Sequence, residues 1–317
     1  MPPLPAFQLT DQEVREAVAK HVAGKVFYSS SAVGQMSYAA IESAVVYVYN
    51  LQSFTEARET AWVSVPHTPS AVMVDGPHNG PIPAPWDVIV QPSAEFVTGK
   101  TKVPVPHSEH VVPCQTCLSA GSTRCSHCAG MGSKGCTWCS GSGVRRQFDE
   151  SRMCTSCNGS GRDRCTWCSG QGYSRCSTCN GSGQVKQFIQ LTIRWDLLSS
   201  HVISSTANNG TANGLAEKRV IEAPKQLVFE ETAAIVAPIT PAEFPDQDIV
   251  NASAELVQQH LASDPTKRVI RMRQTISGIP VTKVHYQRKN KRDVFFVYGD
   301  DRKVHFDSYP SKNCCIA

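Results

Sequence analysis

Six Cys-x-x-Cys pairs crowd into Cys114–Gly183 of this 317-residue chain, and no other feature limits its fold so tightly. They begin at Cys114, Cys125, Cys136, Cys154, Cys165 and Cys176. The first three start 11 residues apart, the last three also start 11 apart, and a step of 18 separates the two runs. The signature is Cys-x-x-Cys-x-Gly-x-Gly. Five of the six pairs fit it, and the first departs, with Ser119 in place of a glycine.

Two thiolates three positions apart can share one tight turn and face one cation. Two such knuckles complete a tetrahedral four-cysteine site with Zn–S near ~2.3 Å. A glycine after the knuckle accepts φ > 0, which lets the backbone fold under the metal and aim amides at the sulfurs. Six knuckles therefore predict three Zn²⁺ sites. A disulfide framework would need an oxidising compartment, and MPPLPAFQLTDQEVREAV at the start of the sequence has no apolar signal core. A redox dithiol usually stands alone at a helix start. Both are weaker accounts of six motifs in register.

The segment between the two runs, Gly141 to Met153, reads as a hairpin around VRRQFDE. A hairpin would set knuckle three against four, two against five and one against six. The expected ligand sets are Cys136, Cys139, Cys154, Cys157; Cys125, Cys128, Cys165, Cys168; and Cys114, Cys117, Cys176, Cys179. Equal steps in both arms keep facing knuckles in register. Pairing of neighbours along the sequence stays open as the alternative.

The stretch resembles the cysteine-rich zinc domain of DnaJ-type co-chaperones, which has four such motifs in nested pairs; six exceed that pattern. The flanks narrow the match. Val105–His107 (VPH), Gln187–Trp195 (QFIQLTIRW), Met272–Tyr286 (MRQTISGIPVTKVHY) and Tyr47–Arg58 (YVYNLQSFTEAR) are together similar to the Ssu-two homologue family. That resemblance implies a DnaJ-like zinc module inside an α+β body, without established catalysis. It also implies binding of unfolded protein or of a heat-shock protein. The chain lacks the His-Pro-Asp tripeptide of a J-domain, so stimulation of an ATP-driven chaperone is not expected.

The fold class expected is α+β: an antiparallel-sheet body carrying an inserted cysteine-rich hairpin. The divisions are 1–110, an amino-terminal α+β segment with a proline-rich loop; 111–183, the zinc module; 184–313, a carboxy-terminal α+β segment packing with the first; and 314–317, a tail. Thr10–Glu13 forms a capping box, and Val14, Ala17, Val18, His21 and Val22 follow at helical spacing up to Gly24. His21 is expected as a packed side chain. Ala44–Phe54 predicts a strand, Glu56, Arg58 and Glu59 a solvated or paired charge cluster, and Trp62–Val65 a segment pairing back onto that strand. Pro66–Pro85 predicts a loop. Asp87–Val90 and Glu95–Val97 are expected as short strands, and Val103–Pro106 and Gln187–Trp195 as neighbouring strands at the base of the hairpin. Ser204–Gly214 reads as a loop, Gln226–Glu230 and Ala234–Val236 as short strands, and Val250–Ala262 as a helix. Arg268–Ile276, Val281–Tyr286, Val294–Tyr298 and Lys303–Tyr309 read as a meander with RKNKRD in its longer turn.

Net charge is +4, and the module tests what that means. Val111–Gly183 holds eight Lys/Arg and three Asp/Glu, an apparent +5; twelve thiolates with three Zn²⁺ contribute −6, leaving −1. The basic residues beside the knuckles (Arg124, Lys134, Arg152, Arg164, Arg175) thus offset thiolate charge, which argues against nucleic-acid binding. Trp138 and Trp167 each precede a second knuckle cysteine. Exposed, they would offer apolar grip to a protein client; packing against the opposite arm is the plainer expectation. Cys314-Cys315-Ile316-Ala317 fits a C-a-a-X tail, with Cys314 the residue lipidated and peripheral membrane attachment the consequence. No apolar run approaches the ~20 residues of a membrane span.

No phosphate loop, nucleophile elbow or HExxH is present. No catalytic residue is assigned and no enzyme is expected. The expectation is a cytoplasmic, zinc-binding, chaperone-like or scaffolding protein with a protein client or chaperone partner. A thiol–disulfide oxidoreductase using one labile knuckle is the alternative, and a nucleic-acid-binding zinc protein the third.

Overall fold

A computed structural model of the chain describes residues 8–25, 28–69, 73–92, 94–147, 150–204 and 215–310. It is α+β, mostly antiparallel sheet with few helices. The chain forms two compact units, Met1–Ala57 with Pro92–Gly99 and Arg194–Ala317, and Arg58–Gln91 with Lys100–Ile193. Among the described residues no helix is long and apolar enough to cross a membrane.

In the first unit, α1 (Asp11–Ala23) opens with the capping box: Thr10 Oγ1 accepts from the Glu13 amide, and the Glu13 carboxylate accepts from the Thr10 amide. Gly24 follows its last turn. A second, four-residue helix, α2, spans Ser31–Gly34. Val14, Val18 and Val22 of α1 are buried against Val284, Phe295, Val304 and Phe306. His21 packs beside the Tyr28 and Phe306 rings, with centroids 5.9 and 6.2 Å away.

Strand β1 runs from Ser37 to Pro66, far beyond the predicted Ala44–Phe54, and Trp62–Val65 continue it rather than folding back. A register shift at Phe54/Thr55 marks the point where the apolar pattern lapses into TEARE, yet pairing continues to Ala57. Glu56 is buried and accepts from Trp195 Nε1 at 2.7 Å, so it is a core hydrogen-bonding group and not a solvated charge. Alternate residues of β1 face two cores. Val45, Tyr47, Tyr49 and Leu51 join Phe244, Ile249 and Val257, while Val46 and Val48 join Ile279, Val281 and Phe296.

The remaining elements of the body are β11 (Gln226–Ala233), α3 (Glu217–Glu222), α4 (Gln247–Ala262), β12 (Lys267–Arg288), β13 (Lys291–Tyr298) and β14 (Lys303–Phe306). Asp246 caps α4 by accepting from the amides of Asp248 and Ile249. The predicted strands Arg268–Ile276 and Val281–Tyr286 are one strand, β12. Its two halves have different neighbours on one side: β11 pairs up to Gly278, and β13 pairs from Val281 onward. Pro280, which has no N–H to give, falls in the gap between them, and so the proline interrupts nothing. The turn after β12 is Lys289–Asn290 alone, shorter than RKNKRD, because Arg288 and Lys291 already pair. Ala234–Val236 lies beyond the end of β11, with Val236 buried in the core.

The expected strand at Asp87–Val90 is absent. Arg58 Nη1 donates to the carbonyls of Pro85 (2.5 Å) and Val88 (2.8 Å), and its guanidinium lies 4.9 Å from the Trp86 ring, so an arginine satisfies this backbone in place of a ladder. Glu95–Val97 is likewise a turn, with Phe96 at φ 57°, its ring against Phe54, and Glu95 paired to Arg271.

In the second unit, β2 (Gly99–Pro104) and β3 (His110–Pro113) lead into the hairpin, and β10 (Gln184–Ile203) leaves it. Entering and leaving segments are neighbours as expected: β3 pairs with β10 from Pro113↔Gln184 to His110↔Gln187, and the Val105 amide donates to Ile189 O at 2.8 Å. The sheet order is β14-β13-β12-β1-β10-β2, with β11 on β12 and β3 on β10. Asp75 ties the proline-rich loop to this base, accepting from the His107 amide (2.9 Å), His107 Nδ1 (2.8 Å) and Asn79 Nδ2 (2.8 Å). These donors, Asn79 first, hold its carboxyl well below the usual carboxylate range. Within the hairpin, β4 (Ser122–Arg124) pairs β9 (Tyr173–Arg175), β5 (Ser133–Gly135) pairs β8 (Arg162–Arg164), and β6 (Val144–Gln147) pairs β7 (Glu150–Met153) at the tip.

Candidate metal centres

Each knuckle repeats one set of backbone bonds. The amide five residues after the first cysteine donates back to that cysteine's carbonyl, as Gly159 does to Cys154 at 3.1 Å. The residue after the second cysteine sits at positive φ in all six, from Leu118 at 48° to Ser140 at 52°. The next amide but two turns inward: Gly132, Gly143, Gly161 and Gly172 donate to the second-cysteine sulfurs at 3.2 Å, and Gly183 at 3.3 Å. The arms are then stitched reciprocally. The Cys136 amide donates to Gly161 O and the Cys154 amide to Gly143 O, both at 2.9 Å, and the other four first cysteines do the same across their rungs.

The twelve sulfurs fall into three groups of four: Cys114, Cys117, Cys176, Cys179; Cys125, Cys128, Cys165, Cys168; and Cys136, Cys139, Cys154, Cys157. This is the nested membership; sequence neighbours do not share a group. All twelve are buried and none is in a disulfide. Ligand atoms within each group lie within 4.8 Å of one another. The sulfur–sulfur distances across the rungs are 3.9 and 3.6 Å, 3.9 and 3.7 Å, and 4.0 and 3.8 Å. A tetrahedral site with metal–sulfur bonds of about 2.3 Å has edges of about 3.8 Å. A disulfide would need about 2.05 Å. Each group could therefore hold one metal ion, with no ligand missing.

Four close thiols do not ionise independently. Burial pushes the Cys117 thiol up to about 12 and Cys125 up to about 11. Burial also raises Cys139 and Cys168, but the amides of Gly143 and Gly172, with neighbouring thiols, outweigh it and bring both down to about 7. The Cys179 amide is the largest influence on Cys176, also brought down to about 7. Amides aimed at the sulfurs favour thiolate, and packing thiolates together opposes it. A dication removes that opposition.

The arginines beside the knuckles are braces as well as charges. Arg175 Nε donates to Asn180 O at 2.7 Å and Arg164 Nε to Ser169 O at 2.9 Å, each closing the turn of the knuckle it precedes. Arg162 crosses the arms, its Nε donating to Ser133 Oγ at 2.7 Å. A long side chain immediately before a first cysteine is the signal for this role, which charge alone does not reveal.

Trp167 stacks on His127 of the opposite arm, with centroids 4.1 Å apart and planes 7° apart, yet remains 69% exposed. The Arg145 guanidinium lies 5.4 Å from the Trp138 ring, which is 63% exposed. Trp167 thus packs against the opposite arm as expected while staying largely exposed, and Trp138 is exposed beside Arg145. His127 is a stacking partner and no member of a sulfur group. Cys314 and most of Ser204–Gly214 lie outside the described residues.

The human protein SSUH2 homolog is 40% identical over 308 residues, which cover 97% of this chain and 79% of that protein. The chain belongs to the SSUH2 homologue family. The zebrafish (Danio rerio) SSUH2 homolog is 36% identical over 308 residues, covering 97% and 82%, and the mouse (Mus musculus) SSUH2 homolog is 40% identical over 257 residues, covering 80% and 71%. No family model matches the chain. The three buried four-cysteine groups of this SSUH2-family chain are consistent with a DnaJ-type cysteine-rich domain.

Proposed function

We propose that this SSUH2-family chain is a non-enzymatic zinc protein whose cysteine ladder presents a rigid surface to a protein client or chaperone partner. Zn²⁺ fits the groups because four thiolates at tetrahedral spacing suit a d¹⁰ cation without redox demands. A site closed by four buried cysteines has no position for water or substrate, so the metal serves the fold and not hydrolysis. Trp138 and Trp167 carry the interaction half of this reading: two exposed aromatic faces on a frame with little core of its own.

The test joins metal count to binding. Native mass spectrometry of the reduced protein should find three zinc ions and no reactive thiol among the twelve. Fluorescence anisotropy should then detect binding of reduced, carboxymethylated lactalbumin, a permanently unfolded chain. Trp138→Ala/Trp167→Ala should weaken it at least about tenfold, which is about 1.4 kcal/mol, with all three zincs retained. A zinc-replete protein that ignores the unfolded probe would sink the client-binding reading. Two zincs with a reactive thiol pair would favour thiol–disulfide exchange instead.

A further inference from the structure

In the first unit, remote from the cysteine ladder in sequence, a cavity of about 440 Å³ opens between the end of α1, the turn before β14, and α3. Its rim is cationic. Lys20 and Lys25 come from the end of α1 and the residues after it, Arg219 from α3, and Lys303 from the start of β14, with His21 and Arg302 between them. Among the described residues Asp301 is the one carboxylate in the lining, and Lys303 already pairs with it at 3.0 Å. Arg302 is held by Glu13 at 2.9 Å. The floor is apolar and firm: Ala17, Tyr298 and Val304 are buried residues of a helix and two strands.

We propose that this cavity binds a polyphosphate group, free or carried as a lipid headgroup. Long cationic side chains converging on one concavity repel one another in the empty site, and a multiply charged anion relieves that repulsion while taking charge-assisted hydrogen bonds from each. With Lys303 and Arg302 held by Asp301 and Glu13, a single negative charge would still fall short of the three carried by Lys20, Lys25 and Arg219. The concavity is open to solvent and roomy enough for a small molecule. His21 reports the same field: burial, then the charges of Lys25 and His305, hold its imidazole below the ordinary histidine value. Nothing in the cysteine ladder or its client-binding reading requires such a site.

Isothermal titration of the full chain with inorganic tripolyphosphate should show one saturable site. Lys20→Ala/Arg219→Ala should weaken it at least about tenfold, with fold and zinc count unchanged, since both side chains are exposed. Lys218→Ala removes an exposed charge from the same helix outside the lining and should change nothing, which separates a site from bulk charge. In the same complex the His21 imidazole should titrate at a higher pH than in the free protein. Inositol trisphosphate and phosphatidylcholine vesicles doped with phosphatidylinositol bisphosphate then identify the source. Binding only of the former points to a free ligand, and binding of both to a headgroup. No binding of any probe, or binding that Lys20→Ala/Arg219→Ala leaves intact, overturns the proposal.

Discussion

Gly161 lies against the carbonyl oxygen of Gly141 so closely that a Cβ on Gly161 would fall 2.3 Å from it. The same amide that donates to the Cys157 sulfur therefore belongs to a residue with no room for a side chain, at φ 68°. Gly161→Ala should displace the facing arm, since backbone and not a flexible side chain is struck. Added to about 1–2 kcal/mol for the left-handed conformation, this should cost the outermost group its metal. Zinc stoichiometry falling from three to two is the expected outcome; three retained zincs at unchanged melting temperature would show that the rung gives way freely.

Ser119 holds the place that glycine fills in the other five knuckles, and it keeps their conformation, at φ 68°. In four of the other five knuckles this position meets the long side chain of the residue before the first cysteine, such as Arg175 on Gly181; in the third that residue is Gly135, and Gly141 meets no side chain there. Here that residue is Pro113, with no long side chain to lay there, so a β-carbon is tolerated but strained. Ser119→Gly should stabilise the first knuckle by up to about 1 kcal/mol, offset in part by greater freedom in the unfolded chain. Thermal unfolding with zinc present would measure it; a loss of stability would mean the serine side chain supplies a bond that outweighs the strain.

His260 is buried between two hydroxyls, with Ser53 Oγ 2.7 Å from Nδ1 and Ser200 Oγ 2.9 Å from Nε2. A neutral imidazole gives one bond and accepts one. Protonation would make both serines acceptors and charge a buried ring, and burial accordingly lowers its pKa. His21 is lowered too, by burial and then by Lys25 and His305. A lowered folded-state value means the unfolded chain binds the proton first. Stability is then complete above the unfolded histidine value near ~6.5 and is lost as pH falls through and below it. Denaturant midpoints from neutral pH downward should decline, and His260→Gln should flatten that slope. An unchanged slope would place the acid sensitivity elsewhere.

The ladder was legible in the sequence because a knuckle is a local object. Ligand spacing, the glycines and the equal steps of the two arms each restrict the backbone within a few residues. The hairpin then follows from covalent connection. The body yielded less, since its surprises are set by partners distant in the chain. Glu56 looks like a surface charge until Trp195 reaches it from 139 positions away. Arg268–Ile276 and Val281–Tyr286 look like two strands until the change of neighbour from β11 to β13 is known. The cations around the α1 cavity are scattered from Lys20 to Lys303, and no window of sequence brings them together. His127 and Trp167 likewise meet only because the arms are in register.

Cys157 tests whether the ladder is an insert whose rungs stand separately. Its sulfur lies 3.8 Å from Cys139, accepts the Gly161 amide, and belongs to the group beside the β6–β7 tip. Serine there removes a thiolate from a closed set, and a four-ligand site rarely keeps its metal with three thiolates and a hydroxyl. The two other groups share no ligand with it. Cys157→Ser should therefore release one zinc of three and open the amides of β6 and β7 to hydrogen exchange. The amides of β12 and β13, in the other compact unit, should exchange at the wild-type rate. Exchange that rises throughout β12 and β13 as well would mean that ladder and body fold as one cooperative structure, with metal binding in the hairpin stabilising the whole chain.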